Sequence, residues 1–157
     1  MKKGLTLIET IVVIAIAFAL IYGIVNVMKN LFDSYWISSD TAIIQNMART
    51  AINEMTRFIR QSSNPVTGID PGIGETKTYI QFVYVKDESE TRNMKYYKNG
   101  KKLMRVVDGS TTTLISNYLD SIYFTHVSSY VVKIQSMTLT KGDQSITLDK
   151  TIFIRNR

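Results

Sequence analysis

Hydrophobic residues change their spacing twice along this chain. From Leu5 to Met28 they run almost unbroken. About 24 residues in a helix cover about 36 Å at roughly 1.5 Å per residue, enough to cross a hydrocarbon core of roughly 30 Å. An apolar stripe continues through Leu31, Phe32, Tyr35 and Trp36. Ser38-Ser39-Asp40 interrupts it with side chains that favour caps over helix interiors. Then Ile44, Met47, Ala48, Ala51, Ile52, Met55, Phe58 and Ile59 recur at helical spacing, with Gln45, Asn46, Arg49, Asn53, Glu54, Arg57 and Arg60 opposite. Asn64-Pro65 ends the pattern. The spacing predicts one long helix from Leu5 to Gln61, weak near Gly23–Asn26 and Ser38–Asp40. Its first half is apolar and its second amphipathic. Two helices with a short connector are the alternative.

The second change comes at Thr78. Ser62 to Lys77, punctuated by Pro65, Gly68, Pro71, Gly72 and Gly74, has no apolar period and reads as a connecting loop. Thr78–Val85 alternates with a period of two and is rich in β-branched and aromatic residues, so it reads as a strand. Asp87–Asn93 reads as a polar turn. Met94–Lys98 and Lys101–Arg105 flank Asn99-Gly100, which suits a two-residue type I′ hairpin. That turn pairs Tyr96 with Leu103 and places Met94, Tyr96 and Leu103 on one inward face. Asp108–Thr113 reads as another turn, and Thr113–Tyr118 as a strand or a helical turn. Further strands are predicted at 121–127, 130–140 and 145–155. Within 130–140 the apolar phase moves from Val132 and Ile134 to Met137 and Leu139, which predicts a β-bulge. A helix followed by strands predicts an α+β fold, with an antiparallel β-sheet packed on the amphipathic half of the helix.

One residue in the apolar run is ionisable. Glu9 lies where a charge near the bilayer centre costs about 2.5–3.5 kcal/mol, which makes it a functional candidate in need of a partner. A secretory signal peptide cut after Ala17-Phe18-Ala19 leaves Glu9 unexplained and gives a mature chain that begins Leu20-Ile21-Tyr22. A plain membrane anchor explains length and orientation but not Glu9. Lys2-Lys3-Gly4, Leu5-Thr6-Leu7-Ile8-Glu9 and the apolar helix together resemble the class III signal of type IV pilins and type II secretion pseudopilins.

That resemblance implies cleavage after Gly4 by a prepilin peptidase and methylation of the new amine on Leu5. It also implies an assembly role for Glu9, fifth in the processed chain, against the amine of a neighbouring subunit. The implied plan is a leader at 1–4, a membrane and filament-core helix at 5–28 and an extracytoplasmic pilin-like α+β domain at 29–157. The implied partners are other pilin subunits, the peptidase, an N-methyltransferase, an inner-membrane assembly platform and, before assembly, the lipid bilayer. Leu5 stands where the family usually has phenylalanine, and Asn26 lies where many major pilins have a proline. Tyr96-Tyr97-Lys98-Asn99-Gly100 with Leu103 and Arg105, and the close Ile154-Arg155-Asn156, also resemble J/W-type minor pilins.

The 157 residues suit one domain plus one membrane helix. There are no cysteines, hence no disulfide framework and no thiolate chemistry. The net charge is +6, and loss of Lys2 and Lys3 with a leader lowers it by two. Those lysines place the N-terminus in the cytoplasm and the rest of the chain outside it. His126 is the only histidine and alternates with Ile122 and Phe124 on a strand, so its expected role is structural. With one histidine and no cysteine the usual zinc sets are unavailable, and neither a P-loop nor a dinucleotide-binding glycine motif occurs. No metal or other cofactor is expected, although Asp70 and Glu75 in the glycine-rich loop are the carboxylates a calcium ion would use. Arg92, Lys95, Lys98, Lys101, Lys102 and Arg105, interleaved with Tyr96 and Tyr97, form a candidate anionic-ligand patch. One reading of it is nucleic-acid binding, with cations on phosphates and rings on bases. The other is a solvated hairpin whose lysines protect a sheet edge. The expectation is a non-enzymatic, minor filament subunit. Its rivals are a membrane-anchored binding module that never polymerises and a secreted hydrolase behind a signal peptide.

Overall fold

The computed structural model describes residues 6–63, 68–87 and 90–155. Leu7–Arg60 form one α-helix, α1, without a break at Gly23 or at Ser38–Asp40. The contacts divide the chain into two units, Met1–Ser39 and Asp40–Arg157.

In the first unit every residue from Thr6 to Ser38 is exposed. Leucine, isoleucine, valine and phenylalanine side chains stand out on all sides of the helix. Such a surface needs lipid or other apolar helices to cover it. The helix is long and apolar enough to cross a membrane.

In the second unit the rest of α1 packs on antiparallel sheets. The strands are β1 (Ile69–Asp70), β2 (Thr76–Lys77), β3 (Tyr79–Asp87), β4 (Glu90–Asn99), β5 (Lys102–Val107), β6 (Ser110–Ile115), β7 (Leu119–Ser128), β8 (Val131–Lys141) and β9 (Gln144–Phe153). They form two sheets where the periodicity predicts one, in the orders β1-β3-β4-β5-β6 and β2-β7-β8-β9. A single apolar cluster joins Ile44, Ala48, Ile52, Met55 and Ile59 of the helix to the inner faces of both sheets. The predicted helix face is therefore the buried one, with Met47 and Phe58 partly buried at its margin. The architecture is α+β: a long N-terminal helix packed on antiparallel sheets, consistent with a pilin-like arrangement.

Three local predictions need correction. The expected loop from Ser62 to Lys77 contains β1 and β2, one added to each sheet. Two-residue strands are too short to leave a period in the sequence. The expected turns at Asp87–Asn93 and Asp108–Thr113 are mostly strand, because β4 starts at Glu90 and β6 at Ser110. Their polar residues are held by main-chain pairing and bury little, so they carry no alternation. In the hairpin, Asn99 pairs with Lys102 and Tyr96 with Arg105, so the turn is Gly100-Lys101. Gly100, at φ 57°, takes the first central position, the glycine site of a type II′ turn. The partners move by two residues, and an even shift preserves faces. Met94, Tyr96 and Leu103 are all buried as expected.

The predicted bulge is present. Ile134 pairs with Lys150 and Met137 with Leu148, so β8 carries one extra residue. Ser136 occupies it at φ 47°, its amide donating to Asp149 Oδ1 at 2.7 Å and its carbonyl accepting from Ser121 Oγ at 2.7 Å. At the start of the packed helix, Lys141 Nζ lies 2.9 Å from Asp40 Oδ1, which holds the β8–β9 turn against it. That contact raises the lysine pKa, chiefly through its hydrogen bond to Asp40.

Candidate assembly segment and the charged faces of the hairpin

Gly4 and Leu5, with Lys2 and Lys3, lie outside the described residues. Glu9 is within them. It occupies the third helical position, and Thr6 immediately precedes the helix. The Thr6 amide and hydroxyl point to Glu9 Oε2 at 3.3 and 3.4 Å, and the Glu9 amide donates to Thr6 Oγ1 at 3.3 Å. This reciprocal pair is a capping box, which satisfies amides that have no partner within the helix. The carboxylate also sits at the positive end of the helix dipole. Sequence reasoning passed over Thr6, although threonine three residues ahead of glutamate and before an apolar run is the signal for this motif. Glu9 is thus an exposed carboxylate, held at the start of a helix with no other acidic residue until Asp33.

The six basic residues of the hairpin do not share one face. Arg92 and Arg105 alternate with Met94, Tyr96 and Leu103 on the face toward the helix. Arg92 Nη2 is 2.6 Å from Glu90 Oε1, with Asp108 at 3.9 Å. The Glu90 hydrogen bond raises the arginine pKa further. Arg105 Nη1 is 2.7 Å from Glu54 Oε1 on the helix. Lys98, opposite Leu103, falls in the same alternation. Lys101 is in the turn, 3.9 Å from Asp120. Lys95 and Lys102 alternate onto the other face. There Lys95 Nζ lies 4.7 Å from the Tyr79 ring centre and 5.9 Å from that of Tyr97. Tyr79 pairs with Tyr97 across β3 and β4, so the two rings flank this lysine. Tyr96 is on the buried face instead. Burial first, and the nearby Glu54 charge second, push its phenol above the ordinary tyrosine range.

The carboxylates of the glycine-rich loop are taken up by one cation. Lys77 Nζ is 2.7 Å from Asp70 Oδ1 and 3.2 Å from Glu75 Oε2, and Tyr79 donates its hydroxyl to Asp70 Oδ2 at 2.7 Å. The hydrogen bonds from Lys77 and then Tyr79 lower the Asp70 pKa. Asp70 and then Glu75 raise that of Lys77. His126 is fully buried behind this loop. Its Nδ1 is 3.1 Å from the Pro71 carbonyl, its own carbonyl accepts from the Gly74 amide at 2.7 Å, and its amide donates to the Glu75 carbonyl at 3.2 Å. A carbonyl only accepts, so this contact is a hydrogen bond in the tautomer with the proton on Nδ1. The histidine pins the loop between the two sheets.

No family model, curated protein or solved structure matches the chain.

Proposed function

We propose that this chain is a minor structural subunit of a type IV pilus or type II secretion pseudopilus, with no catalytic activity of its own. In this reading prepilin peptidase cuts after Gly4, and the amine of Leu5 is methylated. The chain waits in the inner membrane with its domain outside and then enters a filament through its helix. The observation that carries the reading is Glu9: one carboxylate at the start of a helix whose side chains are exposed and, Thr10 and Asn26 apart, uncharged and apolar from there to Met28. An apolar surface of that kind can leave the bilayer only by packing against similar helices. Cleavage would supply the charge Glu9 lacks, an α-amine largely protonated at neutral pH. Attraction between the glutamate of one subunit and the amine of the next would set their stagger, weakly screened in a low-dielectric bundle.

The Thr6–Glu9 capping box favours a second reading. If capping is all that Glu9 does, the chain is a membrane-anchored module that does not polymerise. The first test is processing. Intact mass of the membrane-extracted protein is expected to give a chain beginning at Leu5 with one added methyl, and an uncut chain in cells lacking the peptidase. A chain beginning at Leu20, or one left uncut beside an active peptidase, contradicts the reading.

A further inference from the structure

The helix and β9 end together. Gln61 N donates to Phe58 O at 3.1 Å, Ser62 N to Ile59 O at 3.1 Å and Arg155 N to Arg60 O at 3.0 Å. The last of these brings Arg155 to the final turn of the helix. Arg57, Arg60 and Arg155, with Asn53, Thr56 and Gln61, line a cavity of about 280 Å³. No lining residue is acidic. Among the described residues none of the three arginines has a carboxylate partner.

Arginines in a last helical turn have an ordinary explanation: they satisfy free carbonyls and offset the negative end of the dipole. It covers little of this geometry. The carbonyls of Phe58, Ile59 and Arg60 already accept from main-chain amides. Arg155 is not on the helix. Arg57 stacks over the Phe58 ring, its guanidinium carbon 4.5 Å from the ring centre. Thr56 Oγ1, buried at the cavity, has no hydrogen-bond partner.

Three arginines and no acidic residue line one cavity, a setting that favours an anion there. Each guanidinium presents a planar fork of donors that fits a pair of oxygens on phosphate. A carboxylate has only two oxygens to share among three forks, whereas a phosphate group has at least three. The amides of Asn53 and Gln61 add neutral donors. We infer that this cavity is a binding site for a phosphate group, either free phosphate or the phosphate ester of a glycerol headgroup. The inference does not depend on filament assembly.

The test uses the full chain in a nonionic maltoside detergent at low salt, titrated with inorganic phosphate and with glycerol 1-phosphate. Phosphorus NMR line broadening and calorimetry report binding. Saturable binding of at least one ligand is expected, weakened by about tenfold or more in Arg155→Gln and lost in Arg57→Gln/Arg60→Gln. Arg155 meets Arg60 through its main-chain amide, so the side-chain change leaves that contact in place, and circular dichroism checks the fold. Lys133→Gln, on the outer face of β8, is expected to bind as the parent does. Tighter binding of the ester assigns a headgroup source, and tighter binding of inorganic phosphate assigns the free ion. The inference fails if neither ligand saturates, or if binding survives the arginine substitutions.

Discussion

Arg105 on β5 reaches Glu54 on the helix at 2.7 Å, with the two side chains only 24% and 21% exposed. Tyr96 adds a longer hydrogen bond to the same carboxylate oxygen at 3.5 Å. This cluster ties the face of one sheet to α1 with charge as well as packing. Arg105→Met keeps much of the apolar stem and strands Glu54 without its cation. A loss of roughly 1–3 kcal/mol is expected, between the values for exposed and buried pairs. Glu54→Gln combined with Arg105→Met is expected to cost less than the two single changes added together. Urea unfolding of a soluble fragment beginning at Asp33 measures all four. Strict additivity would show that the pair contributes nothing as a pair.

That fragment is itself expected to fold. The buried helix face begins at Ile44 and needs only the sheets to cover it. Its circular dichroism is expected to show both helix and strand. Met55 is fully enclosed, so Met55→Asp buries an unpaired charge and is expected to unfold the fragment. A Met55→Asp fragment that melts like the parent would contradict this packing.

Much of this unit was legible because side-chain burial leaves a period. Ile44 to Ile59 repeat as a helix does, and the slip from Ile134 to Met137 marks the bulge. What stayed hidden leaves no period. Ile69-Asp70 and Thr76-Lys77 are too short to alternate, and Ser110–Thr113 are held by main-chain hydrogen bonds with polar side chains outward. Of the candidate sites, Glu9 was legible from its position in an apolar run. The meeting of Arg155 with Arg57 and Arg60 was not, because nothing local to either segment encodes it.

The loop that carries Asp70 is expected to respond to acid. Its folded-state pKa lies below the ordinary 3.8, held there first by Lys77 and then by Tyr79. Its stabilising contribution is therefore complete above about pH 5 and is lost as pH falls through the lower folded value. The group is partly exposed, so the effect is modest. Asp70→Asn is expected to melt below the parent at pH 7, with the gap closing as the pH is lowered from 5 toward 2. A gap that is constant over that range would show that the carboxylate charge contributes nothing.

The sharpest question concerns Glu9, where two roles predict different outcomes for one substitution. Glutamine can occupy the capping box as glutamate does, yet it carries no charge. Leucine removes both cap and charge. The measurement is the amount of each variant recovered in filaments sheared from cells, relative to the amount left in the membrane. If Glu9 acts by pairing with the amine of a neighbouring subunit, Glu9→Gln is processed and inserted like the parent but is missing from the sheared filaments, as Glu9→Leu is. Glu9→Gln entering filaments as well as the parent would show that capping is its whole contribution, and would contradict the assembly role.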